Sequence, residues 1–393
     1  MNILHLGKYF TPYRGGVETY LLDVLRAQAG RGHRCLALVH DHERGLGTRE
    51  DAHEVATPGA PGQFLVWRCA PLVTAFFTPI SPGFRRALRR AFHEFRPDVV
   101  HAHLPNPSAC WLLTLPEARR VPLVLHWHSD VLTSGQGPAM RLLYRLYRPL
   151  ERRLLARADA VIATSRSYLE TSESLQTCPA KCVVVPLGLD ARRLLQYAGS
   201  DGTRTAGESR PFQVLAIGRL TYYKGFGFLL RAIAALEGVE LHVVGDGQLR
   251  RELLAMAREL GVGDRVTFHG NLDDPALARR LADCDCVCLP STERTEAFGL
   301  VLLEAMAFGK PTVSSRVHGS GMTWVVDDGV TGLKVPPRDA AGLAEALERL
   351  RRDPALARRL GEAGRERFRS VFDIRPSENA LEAVYRRVRK DAS

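Results

Sequence analysis

The sequence predicts an α/β chain built as two doubly wound halves, each a parallel sheet covered on both faces by helices. Apolar runs of four to six residues, such as 99–103 (VVHAH), 160–163 (AVIA) and 286–289 (CVCL), alternate with helical segments, which is the pattern of buried parallel strands. The alternation pauses over a polar, small-residue stretch at 196–211 (QYAGSDGTRTAGESRP) and restarts at Val214, so that stretch marks a linker or loop near a domain boundary. A length of 393 residues suits two or more domains of about 150 residues each.

In the first half, residues 2–6 (NILHL) read as a buried strand, 7–16 as a loop, 17–29 as a helix with apolar Tyr20, Leu21, Val24 and Leu25, and 35–39 as the next strand. Strand, helix and strand with short turns form a βαβ unit. The loop ends in Gly15-Gly16; paired glycines there let backbone approach a ligand, or serve a tight turn only. Residues 41–62 read as a variable loop, 84–95 (FRRALRRAFHEF) as a basic helix stopped by Pro97, and 99–103, 123–126 and 160–163 as strands. Residues 183–185 lead into PLGLD at 186–190. The run Val124-Leu125-His126-Trp127-His128-Ser129-Asp130 ends a strand. A neutral histidine there can hydrogen-bond a sugar hydroxyl or assist proton transfer, or be structural; His101 and His103 read as packing or supporting residues. Residues 139–157 (AMRLLYRLYRPLERRLLAR) read as helical, kinked or restarted at Pro149. Leu142, Leu146, Leu150 and Leu154 run down one side, joined by Leu143 and Tyr147, and Arg141, Arg145, Arg148 and Arg152 down the other. Either the leucines enter the domain core or this face rests on anionic lipid.

In the second half, strands are expected at 214–217, 241–244, 266–268, 286–289 and 311–313, helices at 225–236, 248–260 and 275–282, and a helical end at 339–369 and 376–390. The stretch 290–311 (PSTERTEAFGLVLLEAMAFGKP) is the most informative. Its helix, from about Leu300 to Phe308, is apolar all round and therefore buried, yet Glu304 stands in its middle. A buried carboxylate needs partners, and no Arg or Lys lies one turn away. Ligand hydroxyls would serve; so would a distant arginine. The helix start, Phe298-Gly299-Leu300, leaves free N–H groups suited to an anion. From Gly299 to Glu304 the helix rises roughly 7 Å at about 1.5 Å per residue, close to the span from a nucleotide's phosphates to its ribose. Glu296 then stands near whatever the phosphate carries. Upstream, GRLTYYKG at 218–225 follows a strand and opens a helix. That is the ligand-binding edge of a doubly wound sheet, where Arg219 and Lys224 could clamp a diphosphate or form a solvated basic turn. Residues 317–322 (VHGSGM) look like an edge loop that could contact donor sugar or base.

Composition narrows the class. Apolar content of 45% with 25% charge is globular, and no apolar run approaches the roughly 18 residues of a membrane span. The start MNILHLGKYF lacks the pattern of a signal peptide, so a cytoplasmic address is expected. Net charge is +11, and residues 1–187 hold 23 Lys/Arg against 15 Asp/Glu, which suggests an anionic partner. No aromatic-rich basic stripe or zinc finger points to nucleic acid. Asp283-Cys284-Asp285 precedes its strand and the eight cysteines lack CxxC spacing, so no metal is expected.

Taken together, GGVE at 15–18, HSD at 128–130, PLGLD at 186–190, GRLTYYKG at 218–225, VVGDG at 243–247, EAFGLVLLE at 296–304 and DGVTGLKVPP at 328–337 resemble the retaining glycosyltransferases of family 4. The resemblance covers essentially the whole chain. It implies the GT-B fold, two Rossmann-like domains facing a central cleft. Residues 1–188 would be the acceptor-side domain, 189–372 the nucleotide-sugar domain, and 373–393 a terminal helix packing back on the first. It also implies a nucleotide-diphosphate sugar as donor substrate with no cofactor or metal. Arg219 and Lys224 would hold the diphosphate and steady the leaving group, Glu296 the donor sugar, and the backbone of Phe298, Gly299 and Leu300 the phosphate. Glu304 would hold the ribose, Gly15-Gly16 would close on phosphate or acceptor, and His128 would contact the sugar. YYKGF and GSGMTWV look most like bacterial mannosyl- or rhamnosyltransferases of surface-polysaccharide assembly, favouring a GDP-mannose-like donor over a UDP-sugar. The acceptor would be a glycan or a lipid-linked glycan, with an anionic membrane surface as a further partner at the inner face of the cell membrane. The competing reading is a non-transferase GT-B protein such as a nucleotide-sugar epimerase.

Overall fold

The computed structural model describes residues 1–13, 15–42, 47–57, 60–75, 78–131, 137–198 and 210–391. The chain divides into two compact units, Met1–Gly188 with Ile374–Ser393, and Leu189–Asp373. Of the polar stretch 196–211, residues 199–209 lie outside the described residues.

The first unit is built on β1 (Asn2–Leu6), β2 (Arg34–His40), β3 (Thr48–Thr57), β4 (Ala60–Cys69), β5 (Val73–Ala75), β6 (Thr78–Ile80), β7 (Val99–Leu104), β8 (Leu123–Trp127), β9 (Ala160–Ala163) and β10 (Cys182–Val184). Eight of these form one sheet in the order β10-β9-β8-β7-β1-β2-β4-β3, while β5 and β6 pair separately. All neighbours in the large sheet are parallel except β3, which runs antiparallel to β4. The expected loop over 41–62 is therefore largely strand. Arg49, Glu50 and Asp51 on β3 hide the apolar alternation that would have marked it; charges are the usual protection of an edge strand. Asp51 is held to Arg68 of β4 at 2.6 Å.

The helix Gly16–Gly30 buries Tyr20, Leu21, Val24 and Leu25. The last helix, Ile374–Lys390, packs against it, with Tyr20 Oη 3.3 Å from Ser377 Oγ and Gln28 Nε2 donating to Tyr385 Oη at 3.1 Å. The helix Gly137–Arg157 continues through Pro149. Its buried side, with Glu151 and Leu154, packs on the segment Pro107–Thr114. Tyr147 joins that side, whereas Leu142 and Leu146 are 62% and 67% exposed and Leu143 and Leu150 are also exposed. Arg141, Arg145, Arg148 and Arg152 are exposed as well. The leucine row is thus split: only its last member, Leu154, enters the core.

The second unit carries β11 (Phe212–Ile217), β12 (Val239–Val244), β13 (Val266–Gly270), β14 (Cys286–Leu289), β15 (Thr312–Ser315) and β16 (Gly332–Val335). They form a fully parallel sheet in the order β13-β12-β11-β14-β15-β16. The unit's first strand is therefore central, and the winding reverses between β11 and β14. In open α/β sheets the crevice at that reversal is where ligands bind. The alternating Cys284, Cys286 and Cys288 are buried. Asp285 accepts from Gln213 N at 2.9 Å and pairs with Arg210 at 3.1 Å, a structural role for the DxD-like sequence.

Candidate functional site

Four loops of the second unit meet at the carboxyl ends of β11, β12, β14 and β15. The loop after β11 crosses the loop after β14 at Gly225, which adopts φ 71°; a Cβ there would lie 2.0 Å from Pro290 O. Any side chain would drive the two loops apart. Thr292 N donates to Tyr223 O at 2.7 Å and ties the same loops together. On the other side Gly245, at φ 125°, sits so that a Cβ would meet Gly218 O at 2.1 Å. The loop after β15 joins through Gly321 N, which donates to Ala297 O at 2.7 Å, and through Ser320 Oγ, which donates to Glu296 O.

This close packing brings together two of the expected site residues. Lys224 and Glu296 form an ion pair whose side chains are 12% and 13% exposed. Ser291 Oγ also donates to Glu296, at 3.3 Å. Burial works against the Lys224 ammonium, but the carboxylate beside it, with Tyr223, more than compensates and raises its pKa above the ordinary lysine value. Lys224 is therefore a charged, pre-positioned cation. Arg219 is exposed near the start of the same loop.

Beside this pair, the helix Leu300–Ala307 starts from Gly299, at φ 82° and with no side-chain cap. Phe298 is buried against Trp324 and Phe372, which fixes the entry into the helix. Glu304 is buried, and its partner is Arg193, with Nη2 3.3 Å from Oε1. Arg193 also pairs with Asp274 at 2.9 Å. The distant arginine that a buried Glu304 called for is therefore present as Arg193. Spacing could not reveal it, because Arg193 stands on a short helix, Arg192–Leu195, far earlier in the chain.

In the first unit the sequence-marked positions fall differently. Gly15 and Gly16 open their helix, but the Glu18 carboxylate folds over Gly15, so the chain's own anion stands at that helix start. Asp130 accepts from Trp127 Nε1 at 2.8 Å and from Ser172 Oγ at 2.6 Å, and so anchors local structure. His128 is buried and joins four other buried histidines, His5 on β1, His101 and His103 on β7, and His126 on β8. Strand register places His5 beside His101 and His103 beside His126. Nitrogen–nitrogen distances are 3.2 Å for His5–His103, 2.9 Å for His103–His128 and 3.2 Å for His101–His126. The sequence showed HAH and HWH at strand ends; it did not show that parallel pairing and a third strand would bring five rings together.

Two Rossmann-like units, the second with the Lys224–Glu296 pair at its winding reversal, make a two-domain α/β architecture. Comparison with known proteins identifies the branch. Residues 14–193 match the family described as Glycosyltransferase Family 4, and residues 204–367 match Glycosyl transferases group 1. The O-antigen chain mannosyltransferase C of Escherichia coli is 30% identical over 386 residues, covering 95% of this chain and 94% of the relative. The D-rhamnosyltransferase WbpZ of Pseudomonas aeruginosa is 31% identical over 376 residues, covering 95% and 92%. Among solved structures, a sucrose-phosphate synthase from Thermosynechococcus elongatus superposes with a TM-score of 0.79 at 26% identity, covering 100% of this chain and 99% of that one. The chain belongs to glycosyltransferase family 4 and is a glycosyltransferase with the GT-B fold.

The buried histidines give a pH prediction. Burial lowers the pKa of His5 from 6.5 to about 4 and that of His128 from 6.5 to about 3. Below pH 6.5 the unfolded chain therefore binds protons that the folded chain refuses. Stability then falls with pH until the folded values are reached, by about 1.4 kcal/mol per pH unit for each such histidine. The urea midpoint of the first unit should drop between pH 7 and pH 5, and His128→Phe should make that decline shallower. An equally steep decline in the variant would contradict the assignment.

Proposed function

We propose that this chain transfers a hexose or deoxyhexose, with retention and without a metal, from a nucleotide-diphosphate sugar to a glycan or lipid-linked acceptor in surface-polysaccharide synthesis. The observation that carries this reading is the Lys224–Glu296 pair beside the uncapped start of Leu300–Ala307, at the reversal between β11 and β14. A GDP-mannose-like donor is favoured because the full-length relatives include a mannosyltransferase and a rhamnosyltransferase.

In the proposed reaction the diphosphate takes Lys224 and Arg219 as counter-charges and the backbone N–H groups at 298–300 as donors. Glu296 holds the sugar, and Glu304, oriented by Arg193, accepts from the ribose hydroxyls. The acceptor hydroxyl oxygen attacks the anomeric carbon from the face the leaving group departs. The carbon–oxygen bond to the diphosphate breaks, and the leaving phosphate oxygen takes the hydroxyl proton. The protein supplies positioning and charge stabilisation. His128 is assigned to a substrate hydroxyl and Gly15-Gly16 to phosphate or acceptor; for the latter, Glu18 would have to move.

The exposed row Leu142, Leu143, Leu146 and Leu150, flanked by Arg141, Arg145, Arg148 and Arg152, supports contact with an anionic membrane. Apolar side chains would enter the interface while each arginine adds about 1 kcal/mol near a negative surface. No helix among the described residues is long and apolar enough to cross a membrane, so such binding would be peripheral, at the inner face where the donor is available.

Two experiments test this reading. In transfer assays with GDP-, UDP- and ADP-sugars, Lys224→Ala or Arg219→Ala should raise the barrier by about 2–4 kcal/mol. Glu296→Ala should lower turnover more than donor affinity, Glu304→Ala should weaken nucleotide binding, and a chelator should leave activity in place. Wild-type rates in all four folded variants would overturn the site, and complete loss with chelator, restored by manganese, would overturn metal independence. In vesicle flotation at low salt the protein should rise with anionic vesicles and stay behind with neutral ones. Retained binding after replacing all four arginines with Ser would remove this face as the contact.

A further inference from the structure

The five buried histidines of the first unit form two hydrogen-bonded arms that begin on one side chain, Gln28. Its Oε1 lies 2.8 Å from His5 Nε2. An amide oxygen only accepts, so His5 carries its proton on Nε2 and leaves Nδ1 bare. His5 Nδ1 faces His103 Nε2 at 3.2 Å, so His103 donates there, and its own bare Nδ1 faces His128 Nε2 at 2.9 Å. The arm ends on His128 Nδ1, a lone pair with no protein partner among the described residues. The other arm starts from the same amide. Gln28 Nε2 donates to Tyr385 Oη at 3.1 Å. The buried Tyr385 hydroxyl then donates to His101 Nδ1, 2.6 Å away. His101 Nε2 donates to His126 Nδ1 at 3.2 Å, and the arm ends on His126 Nε2–H, also without a partner among the described residues. The Cys35 thiol, 3.7 Å from Gln28 Oε1, fits the same orientation of the amide.

A metal ion explains this cluster less well. Two groups, His103 with His126 and His128, and His5 with His101 and His103, have nitrogens close enough to consider one; in the second, His103 stacks on both partners at 23–24°. However, the rings of His126 and His128 are parallel to within 1° with centroids 4.3 Å apart, and His103 lies within 14° of both. An imidazole binds a metal in its ring plane, and stacked parallel planes do not share a point. The in-plane pairs His101–His126 and His103–His128 are instead placed as N–H···N bonds, one pair stacked on the other.

We infer that Gln28, His5 and His103 are positioning residues that fix the tautomer of His128, so that its buried Nδ1 is left as a bare hydrogen-bond acceptor. Burial pushes all five histidines well below their ordinary pKa, to about 4 for His5 and about 3 for His128, so the rings are neutral near pH 7 and each carries one proton. Both arms lead to the same tautomer, with the proton on Nε2 in all five rings. For catalysis the inference rests on the proposed role of His128 towards a substrate hydroxyl. A bare Nδ1 accepts that hydroxyl's proton in a hydrogen bond, whereas the opposite tautomer could only donate to its oxygen.

The test is nitrogen-15 NMR of the histidine rings in the full chain at pH 7, with zinc content measured on the same sample. The expected result is five neutral cluster rings, all protonated on Nε2. His103→Phe, or His5→Phe should the first not fold, cuts the arm to His128 and should leave His128 as a mixture of tautomers. It should also lower transfer kcat/KM by about tenfold, the size of one hydrogen bond of about 1.4 kcal/mol. His101→Phe cuts only the other arm and should leave the His128 tautomer and kcat/KM unchanged. Protonation on Nδ1 in any of the five wild-type rings, stoichiometric zinc, or an unaltered His128 in the folded His103 and His5 variants would overturn the inference. Absence of transferase activity with the expected NMR result would overturn only the role of His128 in the reaction.

Discussion

The loops after β11 and β14 can meet only because position 225 has no side chain. A Cβ there would stand 2.0 Å from Pro290 O, closer than any packing adjustment could relieve. Once the loops touch, Thr292 hydrogen-bonds Tyr223 and the Lys224 ammonium reaches Glu296. The sheet order sets where this happens, because the reversal of winding opens a crevice between these two strands. Backbone geometry, sheet topology and charge therefore fix one point, where Glu296 holds the Lys224 ammonium.

The first unit solves a different problem. Five imidazoles lie where a doubly wound sheet would ordinarily carry aliphatic side chains under its covering helices. Buried polar groups are tolerable when each finds a partner, and here nearly every nitrogen does, through Gln28 of the first helix and Tyr385 of the last. The chain's final helix thus completes the unit that its first residues begin. The cost appears in acid, where the folded unit keeps these rings neutral while the unfolded chain protonates them.

Much of this was legible in the sequence, and the gaps have physical causes. The parallel strands showed themselves because burial on both faces requires unbroken apolar runs, as in 160–163 and 286–289. Lys224, Glu296 and Gly299 were marked by their positions after strands, and the structure brings Lys224 and Glu296 into contact. The edge strand Thr48–Thr57 was hidden because charges protect an edge and erase its alternation. Arg193 beside Glu304 and Glu18 over Gly15 were hidden for a different reason: side-chain partners follow from the packed geometry, and residue spacing alone does not encode them. The histidine arms depend on the register of three strands and on two helices from opposite ends of the chain.

In the proposed reaction the donor's diphosphate is held at the crevice between β11 and β14. A crystal structure of the full chain with GDP tests it most directly. Phosphate oxygens are expected about 3 Å from Lys224 Nζ and from backbone N–H groups at the start of Leu300–Ala307, with the ribose at Glu304. A diphosphate bound elsewhere, with Lys224 contacting no phosphate oxygen, would contradict it.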